Sequence, residues 1–145
     1  MKSYINYILS GLILFFAPIQ GLLIAVAFGI ALDTFTGIFK SVKLNGWSSV
    51  RSRKLSNVVS KMLLYQVCIA LLFVIDFYAL NEFVIHSFGI KFMFTKLVSI
   101  LLIFIELVSI KENIEEALNI KVWDLLKTLF NRAKEIKTDI NEITK

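Results

Sequence analysis

Cysteine, histidine and proline occur once each in this 145-residue chain, as Cys68, His86 and Pro18. A single cysteine excludes an internal disulfide framework. One cysteine and one histidine, far apart in sequence, exclude the His/Cys spacings that hold metals. The chain also lacks a glycine-rich phosphate loop and a serine-centred elbow. It is therefore read as no enzyme, with no metal and no cofactor. Cys68 is read as a small buried hydrophobe, and His86 as a residue of an outer loop.

Polar surface is the larger deficit. Hydrophobic residues make up 57% of the chain and mean hydropathy is +0.76. A soluble domain needs polar exposed faces and rarely reaches such values. One domain is the natural count, with no room for a separate soluble enzyme. The net charge of +5 does not point to nucleic acid, because the basic residues lie beside apolar runs and not on a soluble face. An anionic membrane leaflet is the better partner for them.

What is present is three long apolar runs, each interrupted by one acid: Ile19–Phe39 with Asp33, Val58–Leu80 with Asp76, and Phe92–Ile110 with Glu106. Each is roughly 20 residues, the length a helix needs to cross a hydrocarbon core of about 30 Å. A charged side chain at membrane depth costs about 2.5–3.5 kcal/mol on insertion scales, so it faces protein or water instead of lipid. The expected fold is an all-α integral membrane protein. It has three to four transmembrane helices (about 4–17, 19–40, 58–80 and 92–111) and a C-terminal cytoplasmic amphipathic or coiled-coil helix. Residues 1–113 form the membrane domain and 114–145 the tail.

The first segment, Tyr4–Ala17, is short for a span. It suits either a tilted helix in thinned bilayer or a helix lying in the interface. Its charge and apolar pattern resembles a signal peptide, but the run continues past Pro18 without a small-residue cleavage site, so it is expected to stay. Pro18 suits the first turn of a new helix.

Orientation follows from the loop Ser41–Ser56. Lys40, Lys43, Arg51, Arg53, Lys54 and Lys61 lie in or beside it, without an acid. Short loops rich in Lys and Arg stay cytoplasmic. Asn45-Gly46 marks a turn. The nearly neutral connection Asn81–Lys91 then faces outward, and the C-terminus is cytoplasmic.

Depth places the intramembrane charges in two layers. Asp33, Lys61 and Glu106 all fall in the inner third, within mutual reach if the spans pack together. Asp76 and Lys96 fall near the outer end and are expected to pair. Either layer is an internal ion pair fixing helix register or, after assembly of several copies, the lining of a wet path. For the outer pair, the register role is the favoured one. Ala25, Ala27, Gly29, Ala31 and Gly37 permit close helix approach. Thr34 and Thr36 are expected to hydrogen-bond across helices.

The tail changes character, with seven basic and seven acidic residues in Lys111–Lys145. Val122, Leu126, Leu129, Ala133, Ile136, Ile140 and Ile143 repeat at 4-3-4-3-4-3 spacing, a coiled-coil seam. Leu118, Leu125 and Phe130 widen it. Two readings stand: an amphipathic helix on the inner leaflet with Trp123 at the headgroups, or self-association through a cytoplasmic bundle.

The same residues resemble a family. Leu32-Asp33-Thr34-Phe35-Thr36-Gly37 is similar to the D-x-x-T-G element of the toxin-secretion/phage-lysis holin family. Ser52-Arg53-Lys54 and Lys61 look like its basic loop and entering lysine. Glu106, then Ser109-Ile110-Lys111-Glu112-Asn113, resembles its later signature. The likeness covers roughly Leu22–Lys127. Family members often continue after Glu-Asn with a Gly- and Pro-containing stretch, which Ala117–Val122 replaces here. The resemblance implies accumulation in the bacterial inner membrane, self-association, and a lesion that passes an endolysin or toxin. Two competing readings are an oligomeric scaffold that recruits a partner through the tail, and a small ion or proton channel using Asp33 and Glu106.

Overall fold

A computed structural model describes residues 2–49 and 52–143, with side chains from 4–49 and 56–137. The described residues are almost wholly helical: α1 (Lys2–Phe16), α2 (Gln20–Asn45), α3 (Ser52–Ile75), α4 (Asn81–Phe88), α5 (Met93–Leu118) and α6 (Val122–Ile143). Short 3₁₀ turns lie at Ala17–Ile19 and Trp47–Ser49, and a π-helical turn at Asp76–Leu80.

Three helical segments are long and apolar enough to cross a membrane: Tyr4–Asn45, Ser56–Phe88 and Met93–Leu118. The first, at 42 residues, would be about 60 Å long if straight, twice the hydrocarbon thickness. Pro18 resolves the excess. It sits at the start of the 3₁₀ turn that divides α1 from α2, where its missing N–H costs nothing. The 15 residues of α1 reach about 22 Å, short of a full crossing. The first of the three apolar segments thus contains both α1 and α2.

Several boundaries move from those expected. Helix α2 continues to Asn45 and ends on Gly46, whose φ of 76° suits glycine. Residues Asn81–Phe88, expected as loop, form α4, which ends on Gly89 at φ 69°. His86 is thus an exposed helical residue. Helix α5 does not stop near residue 111 but runs to Leu118. Helix α6, which carries the expected seam, begins at Val122.

The core is small. Ile19, Val26 and Ile30 of the first segment meet Ile69 and Phe73 of α3, with Leu102 and Ile103 of α5 packed against them. Phe73 collects Phe15, Phe16, Phe77 and Phe92 around it, ring centroids 5.0–5.9 Å away. The end of α1 is held by this aromatic cluster. Beyond it, Leu12 and Ile13 form one wall of an apolar groove of about 420 Å³, with Leu23, Val67 and Ala70 opposite. Most remaining large apolar side chains point outward. In water that would be a liability, but in a bilayer it is the solvated surface. Cys68 joins that outward face of α3. The expectation that it is buried fails, because Ile69 takes the inward position.

Candidate functional site

Apart from Ser41, the few buried polar residues among those described fall in two groups. The inner group is built on α2, α3 and α5. Lys61 Nζ of α3 donates to Glu106 Oε2 at 2.6 Å and to Asp33 Oδ2 at 3.1 Å. Glu106 is fully buried, while the Asp33 and Lys61 side chains keep partial exposure (16% and 31%). Asn113 Nδ2 donates to Asp33 Oδ1 at 3.1 Å and to Thr36 Oγ1 at 3.5 Å. Lys40 Nζ donates to Asn113 Oδ1 at 3.4 Å and pairs with Glu116 at 2.7 Å. A polar chain thus runs Glu116–Lys40–Asn113–Asp33–Lys61–Glu106, from the rim of the bundle inward.

Two glycines of α2 face this chain. A Cβ on Gly29 would lie 3.5 Å from Glu106 Cβ and Cγ, and one on Gly37 would lie 3.5 Å from Asn113 Nδ2. Both distances are ordinary contact, so neither site is too tight for a methyl. Of the small residues singled out in the sequence, Ala25 and Ala31 instead face outward.

The electrostatics are unbalanced. One ammonium serves two carboxylates, so with all three ionised the cluster holds a net negative charge in a low-dielectric place. Glu106 Oε1 is buried without a hydrogen-bond partner, and an unsatisfied charged acceptor is costly. Lys61 also lies 5.9 Å from the centroid of the Tyr65 ring, a weak additional attraction.

The outer group corrects the expected Asp76–Lys96 pair. Asp76, 1% exposed, accepts from the Thr95 backbone N–H at 2.7 Å and from Thr95 Oγ1 at 2.6 Å. Lys96 points outward and is exposed. Thr95 stands at the third position of α5, whose first-turn N–H groups have no intrahelical acceptor. Asp76 therefore caps α5 from another segment, its charge set against the positive end of the helix dipole. The π-helical turn that begins at Asp76 carries it. Ser99 continues the polar face, its hydroxyl donating to Thr95 O at 2.7 Å.

The other sequence candidates divide. Asp33, Thr36, Gly37 and Asn113 meet as described. Ser109 is half-buried and Glu112 exposed, and neither joins the chain of contacts. Thr34 bonds its own helix at Ile30 O (2.7 Å) instead of a neighbour. Lys40 and Glu116 were not expected here. In the tail, Val122 is half-buried, whereas Leu126, Leu129, Ala133 and Ile136 are exposed. The side chains of Ile140 and Ile143, like those of Arg51, Arg53 and Lys54, lie outside the described residues.

Long outward-facing apolar helices around a buried, ion-paired interior define a small helical membrane protein. Within that class, the sequence model of the bacteriophage holin family matches residues 10–135, and the chain belongs to that family. No curated protein and no solved structure matches it.

Proposed function

We propose that copies of this chain accumulate in the bacterial inner membrane with the C-terminus cytoplasmic. There they self-associate and open a lesion through which an endolysin or toxin leaves. Family membership supports the general reading. The observation that carries the specific one is the inner polar chain. Its two acids nearest the middle of the bundle, Asp33 and Glu106, are bridged within one copy by a single ammonium, that of Lys61. In that state Glu106 is closed to water and Asp33 nearly so. If α3 releases Lys61 from α2 and α5, Asp33 and Glu106 become available to line an aqueous opening between copies. No step of this needs a catalytic group, a metal or a cofactor.

The test is inducible expression in a bacterium loaded with small dyes and a folded reporter enzyme. Release of the reporter, with Asp33→Asn altering the release at unchanged protein level, supports the lesion. Dye release without reporter release favours an ion-sized channel. Retention of both, with the protein well inserted, favours a sealed scaffold.

A further inference from the structure

We propose that α6 docks lengthwise on the membrane, its apolar face in the acyl–headgroup boundary and its flanking cations on phospholipid phosphates. This goes beyond the lesion reading and requires only that the chain span a bilayer. The inner leaflet is the one concerned if the tail is cytoplasmic.

The first argument is position. Helix α5 ends on Asn119 in the left-handed conformation, and α6 begins at Val122. Glu115 closes the corner: its backbone carbonyl accepts from Ile120 N at 3.3 Å, and its carboxylate accepts from Val122 N at 2.9 Å. The bend is thus braced by hydrogen bonds directly after a membrane-crossing helix. The start of α6 is thereby held at the end of a span.

The second argument is the uncovered face. Trp123, Leu129, Phe130 and Ile136 are 58–73% exposed, so the rest of the chain does not cover it. At 3.6 residues per turn, the apolar residues from Val122 to Ile136 fill an arc of roughly 160°. That is much wider than the narrow seam of a two-stranded coiled coil, because Trp123, Leu125 and Phe130 flank it.

The third argument is charge placement, and it decides between lipid and a second copy. Asp124 and Glu135 stand at the pole opposite the apolar arc. Lys127 and Lys134 lie just outside one edge of it, and Arg132 just outside the other. Lys137 falls within the arc, past its last apolar residue, with a stem long enough to snorkel. From Val122 to Lys137, cations at both edges and acids facing away fit a plane of phosphates above hydrocarbon. The balance of charge over the tail therefore conceals a segregation within this stretch. In a parallel pair of α6 seams, Arg132 of one copy would oppose Lys137 of the other, a like-charge contact at the flanking positions.

The full chain is reconstituted in vesicles of phosphatidylglycerol and phosphatidylethanolamine carrying bromine high on the acyl chains. With Trp47→Phe and Trp123→Phe as background, Ile136→Trp places one indole about 20 Å along α6 from Val122. In-plane docking brings that indole to the brominated layer. Its emission is expected to shift blue and to be quenched by brominated lipid. Adding Lys127→Glu and Arg132→Glu should remove most of the quenching, while Glu135→Lys at the pole should leave it in place. An indole that brominated lipid does not quench overturns the proposal. That holds whether acrylamide reaches it, as for a helix standing in water, or not, as for one packed against another copy. The readout is independent of leakage, so a failed lesion assay leaves it standing.

Discussion

Lys61 Nζ lies 2.6 Å from Glu106 Oε2, and this contact joins α3 to α5. Glu106 has no exposure at all. The lysine is therefore what makes an ionised carboxylate tolerable there, and it reaches Asp33 with the same ammonium.

Lys61→Met should be the most damaging single change in the inner group. It leaves two carboxylates near each other without a counter-charge, a situation that costs about 3–5 kcal/mol when a buried pair is broken. Partial exposure of Lys61 places the expected loss toward the lower end. Thermal unfolding in detergent, followed by circular dichroism, reads it. Lys61→Met combined with Glu106→Gln should recover part of the loss. No recovery would mean that the lysine acts by packing and not by charge.

Asp76→Asn should weaken the start of α5 by about 1–2 kcal/mol, the value of a charged cap in a partly buried setting. Thr95→Val should cost about 1 kcal/mol through loss of its hydroxyl donor. Lys96→Ala should change melting little, since that side chain is exposed. If Lys96→Ala proved as harmful as Asp76→Asn, the capping account of Asp76 would be wrong.

Gly29→Ala should be tolerated, because its Cβ would sit at ordinary contact distance, 3.5 Å, from Glu106. Gly29→Leu has no such space and should separate α2 from α5, losing about 1–3 kcal/mol through overpacking. The melting temperatures of the two variants, measured side by side, separate close approach from mere helix propensity.

The functional counterpart is a change of state. Lys61→Met should make release of the folded reporter begin at a lower protein level than in the parent, provided insertion is matched by quantifying the membrane fraction. Unchanged onset would show that the Lys61 contacts are not what holds α3 in place.

The inner group was legible because depth alone suffices there. Asp33, Lys61 and Glu106 lie at similar distances from one common end of the bundle, and long side chains forgive errors of rotation. The outer group was misread because depth ignores rotation about the helix. Thr95, Ser99, Glu106, Asn113 and Ala117 recur at spacings of four and seven, which keeps them on one face of α5. Lys96 is one residue off that face and turns to the outside. This periodicity stands in the sequence, whereas depth weighs only the charged residues. Lys40 and Glu116 were missed for another reason. Helix α5 extends past the expected end of its span, so Glu116 was counted in the tail instead of the bundle. Cys68 was misjudged because an apolar run does not reveal which of two adjacent residues, 68 or 69, turns inward.

The two polar groups are separated by packed hydrocarbon and by Gln66, whose Nε2 donates to Leu23 O at 3.0 Å. Ser99 and Glu106 are seven residues apart on α5, about 10 Å of helix, and Leu102 and Ile103 between them press against the apolar core. In electrical terms the folded copy is an insulator with charged plates at its two ends. An ion entering from either side meets fixed charge, then a dielectric wall of close-packed side chains. Current through such an object requires either that the wall be dismantled or that the conducting route run between copies and not through one.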